Sequence, residues 1–225
     1  VTLGVVVAAA GRGTRMGADV PKAFLRLAGL PLVAHAIRPF LRFSGVVRIA
    51  VVLPDPAAAA GIQGFEDARV VLVRGGAERQ DSVASGIAAL GEVDLILVHD
   101  AARPLLEEST IRAVVEAAAR HGAAVPVLPV PDTVKELDGA GFVAGTPSRD
   151  RLGLAQTPQG FRSELLRRAH ARAAAAGERG TDEASLVERL GEKVAAVPGS
   201  PRNFKITTAD DLRRAEILLS EESRG

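Results

Sequence analysis

The chain has 225 residues, a formal net charge of +1 and no cysteine. Balanced charge argues against a general nucleic-acid or membrane-surface role, and the lack of cysteine excludes a disulfide scaffold, a cysteine nucleophile and a Cys-based zinc site, as suits a reducing cytoplasm. The aromatic residues are seven Phe, with no Trp or Tyr, which speaks against a base-stacking platform. No apolar run is long enough to span a bilayer. Strand-like sequence begins at once, so no signal peptide is expected. The length suits a single α/β domain over 1–225 with a sizeable core.

Apolar runs alternate with amphipathic ones. Strands are predicted at 3–8, 46–53, 70–73, 95–98, 123–128 and 194–197. Helices are predicted at 32–43, 81–90, 110–121, 163–176, 183–190 and 209–219. Ser109 is expected to cap the third helix, while Thr181 and Thr208 stand just before helices with acids in the first turn. Unbroken β-branched strands separated by helices predict a mostly parallel sheet covered by helices.

The first strand runs into VVVAAAGRGTRMGADVPKAF, residues 5–24. Gly11, Gly13 and Gly17 let the backbone turn and bring its N–H groups close to an anion. Arg15 and Lys22 add full charge where a triphosphate would lie; the same residues can also make a plain strand-to-helix turn with solvated cations. The loop lacks the GK[ST] ending of a P-loop, and GRGTRMG is not G-x-G-x-x-G.

A second glycine turn, GGAERQDSV at 75–83, leads into a helix start. Gly76 and Ser82 are candidates to read a flat base edge, and Asp81 or Ser82 can equally be a helix cap. HDAARP at 99–104 follows the apolar run LILV. Asp100 thus stands at the carboxyl end of a central strand, where open α/β sheets bind ligands. Asp100 can hold a metal or a substrate hydroxyl and Arg103 a phosphate, or the two can pair and close the loop; His99 reads as a structural group.

Residues 129–149 break the alternation with Pro and Gly. Their centre, 134–143, predicts a hairpin around Asp138-Gly139. An isolated hairpin is marginal in water, so a projecting arm packed on a second subunit is expected. QTPQGF at 156–161 reads as a turn fixed by Pro158, TDEAS at 181–185 as a helix start in all but Thr181 and Asp182, and Lys205 in NFKIT as a cation able to reach a phosphate or to point to solvent.

Taken in order, AAAGRGTRMG…PK, GGAERQDSV, HDAARP, PDTVK, QTPQGF, TDEAS and NFKIT resemble the 2-C-methyl-D-erythritol 4-phosphate cytidylyltransferase family over nearly the whole chain. The first motif is shared with many nucleotidyltransferases; HDAARP, QTPQ and TDEAS together are far more specific. The resemblance implies a Rossmann-like nucleotidyltransferase fold, Mg2+, and a homodimer whose arms cross to the partner subunit. It further implies that Arg15 and Lys22 stabilise charge on the α-phosphate. Ala9, Ala10, Gly11, Gly13, Gly76, Ser82 and Asp100 would form the CTP pocket, and Asp100 would be the magnesium ligand. Asp100, Arg103, Thr133, Arg149, Thr157 and Lys205 would hold a small polyol phosphate, with Thr133 and Arg149 coming from the neighbouring arm. One departure is Gly153, which stands where the family often has tryptophan; counting back from Gln156 favours Arg149 over Arg151 as the matching arginine.

The implied reaction is transfer of CMP from CTP to 2-C-methyl-D-erythritol 4-phosphate. A ribitol 5-phosphate cytidylyltransferase shares most of the motifs. A sugar-nucleotide or molybdopterin nucleotidyltransferase is a more distant alternative. A dinucleotide-dependent oxidoreductase is disfavoured by the missing G-x-G-x-x-G, and a non-catalytic nucleotide-binding regulator would not need Arg15, Lys22, Asp100 and Lys205 together.

Overall fold

The β-branched run at the start of the chain forms β1 (Leu3–Ala8), buried along nearly its whole length. It is the pivot of the sheet. β4 (Val46–Leu53) pairs parallel to one edge of β1, and β6 (Leu95–Asp100) pairs parallel to the other. β5 (Val70–Arg74) extends the β4 side, also parallel. The chain therefore leaves β1 toward one edge and returns to the opposite one, which opens a crevice at the carboxyl ends of β1 and β6. This computed structural model describes residues 1–11 and 21–222.

Alternate side chains of β1 feed two different cores, as the period of a strand requires. Val5 and Val7 pack with α1 (Leu32–Arg42) and α3 (Glu108–His121) through Ile37, Phe40, Ile111 and Val114. Val6 faces the other way, toward Val83 and Ile87 of α2 (Arg79–Ala89), Leu166 of α4 (Ser163–Ala176) and Val187 of α5 (Glu183–Glu188). The sheet is thus covered on both faces, which is why the central runs 5–7, 49–53 and 95–98 are apolar throughout. Helix α2 lies unusually close to the sheet: a Cβ at Gly86 would stand 2.5 Å from Val6 Cγ1 and 2.9 Å from Val52 Cγ2. A third, smaller core joins the short hairpin β2 (Arg26–Leu27) and β3 (Leu30–Pro31) to α6 (Ala209–Glu222) through Leu27, Ile206 and Ala215.

The far side of the sheet is mixed. β7 (Ala123–Pro129) carries β12 (Ala195–Pro198) parallel on one edge. On the other it meets β11 (Gln159–Arg162) at its start and β10 (Gly153–Ala155) at its end, both antiparallel. β11 also pairs antiparallel with β6, so it is wedged between β6 and β7. Neither β10 nor β11 was expected from the sequence: they are three and four residues long, too short to show a period.

The hairpin of the 129–149 segment is present, as β8 (Glu136–Leu137) with β9 (Val143–Gly145). Asp138 Oδ1 fixes its turn by accepting from the N–H groups of Ala140 and Phe142, at 2.9 and 2.8 Å. This two-stranded sheet pairs with no other strand among the described residues, and almost every residue from 131 to 155 is exposed.

Two helix starts differ from expectation. Ser109 does not cap α3: the extended backbone belongs to Glu107, and Ser109 lies inside the first turn behind Glu108. An acid at that position suits the positive end of the helix and lets it begin earlier. Likewise α2 starts at Arg79 rather than Asp81, and Asp81 Oδ2 reaches back to accept from the Glu78 N–H at 3.2 Å. β6 runs two residues beyond the predicted end, so His99 and Asp100 belong to the strand itself. No helix of the described residues is long and apolar enough to cross a membrane.

Candidate active site

The crevice at the strand ends is a cleft of about 570 Å3. Its floor is Ala8–Gly11 leaving β1 and Asp100–Ala102 leaving β6; one wall is the 75–82 turn, and the other carries Lys22, Lys205 and Thr207. Of the residues singled out from the sequence, Ala9, Ala10, Gly11, Lys22, Gly76, Ser82, Asp100 and Lys205 come together here. Gly13, Gly17 and Arg15 lie outside the described residues.

The glycine turn is shaped by contact as much as by flexibility. A Cβ at Gly75 would be 2.5 Å from Ala10 Cβ, so the two loops approach to a distance that only glycine permits. Ser82 is buried, and its hydroxyl donates to the Glu78 carbonyl at 3.0 Å while accepting from the Gly76 N–H at 3.1 Å. Ser82 therefore pins the turn that forms the wall.

Asp100 is the electrostatic centre. Its Oδ2 accepts from Lys205 Nζ at 2.7 Å and its Oδ1 from Arg79 Nη2 at 3.3 Å. Burial alone would raise its pKa, but Arg79 and Lys205 outweigh that effect and hold it well below the usual carboxylate range. Asp100 is thus ionised, with its two oxygens turned toward different cations. The backbone beneath it is fixed by a directed chain of hydrogen bonds. His99 Nε2 sits 3.0 Å from the Arg103 carbonyl, which can only accept, so Nε2 carries the proton. Nδ1 then accepts from the Thr157 hydroxyl at 3.0 Å, and that hydroxyl oxygen accepts from the Asp100 N–H at 3.1 Å. Burial pushes the fully enclosed His99 down to about 4, which keeps the ring neutral.

Thr157 accordingly stands beneath the cleft, buried, rather than in its lining. Arg103 is also outside the lining. It donates to the Asn203 carbonyl at 2.7 Å and the Ala155 carbonyl at 3.3 Å, tying the β6–α3 loop to the segment that carries Lys205. Asn203 in turn donates to the Thr157 carbonyl at 2.7 Å. Thr133 and Arg149 lie on the exposed arm, away from this cleft, and Arg149 donates to the Pro131 carbonyl at 2.7 Å.

Arg79 and Glu183 were not singled out from the sequence. Arg79 lines the cleft, and Glu183 Oε1 and Oε2 accept from its Nη1 and Nη2, both at 2.9 Å. Burial lowers the Arg79 pKa but Glu183 and Asp100 more than reverse this, so the guanidinium stays charged. Around the pair, Gln80 donates to the Glu178 carbonyl and accepts from the Gly180 N–H. The start of α2 is thereby docked on the α4–α5 loop. His170 of α4 feels the same Arg79; burial first, then that cation, push it down to about 4.

This chain and its fold have counterparts among known proteins. A profile described as 2-C-methyl-D-erythritol 4-phosphate cytidylyltransferase matches residues 3–221. A protein of that name from Nocardia farcinica is 48% identical over 220 residues, 97% of this chain and 94% of the relative. One from Rhodococcus jostii is 46% identical over 217 residues, 96% of this chain and 94% of the relative. The crystal structure of the enzyme of that name from Thermus thermophilus superimposes with a TM-score of 0.80 at 40% identity, covering 96% of this chain and 98% of that one. On sequence and on fold alike, the chain belongs to the 2-C-methyl-D-erythritol 4-phosphate cytidylyltransferase family.

Proposed function

We infer that the protein transfers a cytidylyl group from CTP to the phosphate of 2-C-methyl-D-erythritol 4-phosphate, releasing pyrophosphate. The observation that carries this reading is the cleft itself: two loops held in contact at Gly75 and Ala10, facing the Asp100–Lys205 pair at the end of β6. Ribitol 5-phosphate as acceptor is not favoured by the relatives, which carry the methylerythritol name.

The substrate phosphate is already an anion, so it can attack the α-phosphorus in line without a covalent enzyme intermediate. The chain's part is then positioning and charge stabilisation. Backbone N–H groups of the first loop approach the triphosphate. Lys22, with Arg15, meets the charge that develops on the α-phosphate. Asp100 orients Lys205, which reaches toward the acceptor phosphate.

The donor set fits a magnesium ion held chiefly by phosphate oxygens. Asp100 supplies an ionised carboxylate at the cleft, while among the described residues no three acids or histidines cluster into a cage of their own. Bound with CTP, such an ion neutralises charge on the triphosphate. Thr133 and Arg149 serve the acceptor phosphate of a neighbouring subunit, since their own cleft does not include them.

Pyrophosphate release, measured with each of the four nucleoside triphosphates against both polyol phosphates, tests the assignment. CTP with methylerythritol phosphate is expected to dominate. Comparable turnover with GTP, or a preference for ribitol phosphate, would overturn it.

A further inference from the structure

Glu183 is only 1% exposed, yet it is an acid at the first position of a short helix beside the cleft. Both of its oxygens accept hydrogen bonds, Oε1 from Arg79 Nη1 and Oε2 from Arg79 Nη2. Burial raises the Glu183 pKa and the Arg79 charge opposes that rise; with both oxygens accepting from Arg79, the geometry is that of a carboxylate in a two-pronged ion pair. A buried ion pair adds little stability over an apolar pair of similar volume. Its place beside the cleft therefore calls for an account other than packing.

That account lies in the third contact of Arg79. The same Nη2 that bonds Glu183 also approaches Asp100 Oδ1, but at 3.3 Å, while Lys205 holds Oδ2 at 2.7 Å. Arg79 is divided between two acids, and the nearer one has the larger share. Asp100 is thus divided between Lys205, which holds Oδ2 closely, and Arg79, which reaches Oδ1 from farther off.

We propose that Glu183 is a positioning residue for nucleotide binding, acting through Arg79 to keep the Asp100 carboxylate shared with Lys205 and open to the incoming nucleotide. The inference rests on the reading of the cleft as a CTP site. Without the Glu183 charge, Arg79 keeps Asp100 as its anionic partner, and the planar fork of the guanidinium closes on both carboxylate oxygens. Lys205 is then displaced, and the acid at the end of β6 is withdrawn from the nucleotide.

A double-mutant cycle tests this with wild type, Glu183→Gln, Arg79→Gln and the double variant. CTP affinity is read by calorimetry, and kcat and KM by pyrophosphate release, at a temperature where all four chains are folded by thermal melting. Glu183→Gln in the wild-type background is expected to weaken CTP binding and lower kcat/KM for CTP by about tenfold or more. In the Arg79→Gln background the same change should alter either quantity by less than about twofold, because the residue through which Glu183 acts is gone. Equal losses in both backgrounds, or no loss of CTP binding at all, would overturn the proposal. Should Glu183→Gln fail to fold, Glu183→Asp takes its place: the charge is kept but withdrawn by one methylene, and the same dependence on Arg79 is expected with a smaller loss. A wild-type chain that binds no CTP would instead refute the reading of the site.

Discussion

At the scale of single residues, the position of Asp100 depends on a side chain that never reaches the cleft. Thr157 accepts from the Asp100 N–H and donates to His99 Nδ1, and both partners are buried. Thr157→Val keeps the shape and removes the hydroxyl, leaving two buried polar groups without a partner. The expected cost is about 1–3 kcal/mol of unfolding free energy by urea titration. Thr157→Ser keeps the hydroxyl and should recover most of that loss. Wild-type stability in the valine variant would show that the chain of hydrogen bonds does not fix the strand end. The residues of the site differ in how far they were legible. Asp100 could be read because an acid two residues after LILV must emerge at the end of a buried strand. Lys22 and Gly76 could be read only as candidates, because the same glycine turns and cations also serve as plain turns into helices. Arg79 and Glu183 could not: they are 104 positions apart, and each looks locally like an ordinary polar residue at a helix start. Ser82 and Thr157 were legible as important positions, but a sequence cannot tell a hydroxyl facing a ligand from one that fixes a loop.

At the scale of elements, the wall of the cleft is set by how closely α2 rests on the sheet. Gly86 makes that approach possible, because any Cβ there collides with Val6 and Val52. Gly86→Val should therefore lift the helix. The strain of overpacking such a contact costs about 1–3 kcal/mol, measurable as a lower urea midpoint. Since Glu78–Ser82 move with the helix, KM for CTP should rise with kcat less affected. A variant with normal stability and normal KM would mean that the sheet yields instead of the helix. The same packing explains which elements were readable. β1, the 49–53 run of β4 and the LILV run of β6 are buried, so these apolar runs have no polar interruption. β11 is equally central, but it is the four-residue QGFR wedged between β6 and β7. It owes its place to neighbours distant in sequence, and nothing local marks it as a strand.

At the scale of the whole molecule, the arm is the part that the fold leaves unsupported. Leu137, Phe142 and Val143 are 64%, 73% and 60% exposed on a hairpin of two very short strands. Such a hairpin is marginal alone, and a twofold contact would let two arms bury each other's apolar residues. The arm also carries Arg149, which its own cleft does not use. These two facts motivate the proposal of a shared site, and subunit mixing tests it without any further structure. In a Lys22→Ala chain the cleft is damaged and the arm intact; in an Arg149→Ala chain the reverse holds. If arms serve their own clefts, every site in every mixture lacks one of the two residues, and mixing restores nothing. If arms cross, each heterodimer has one site with both residues and one with neither. Random pairing of equal amounts makes half of the dimers heterodimers, so about a quarter of all sites become complete. Pyrophosphate release should rise from the background of either variant alone to about a quarter of the wild-type rate after co-refolding or co-expression. A verified mixed population that stays at background, or a wild-type chain that is active as a monomer by light scattering, would place the arm in the service of its own subunit.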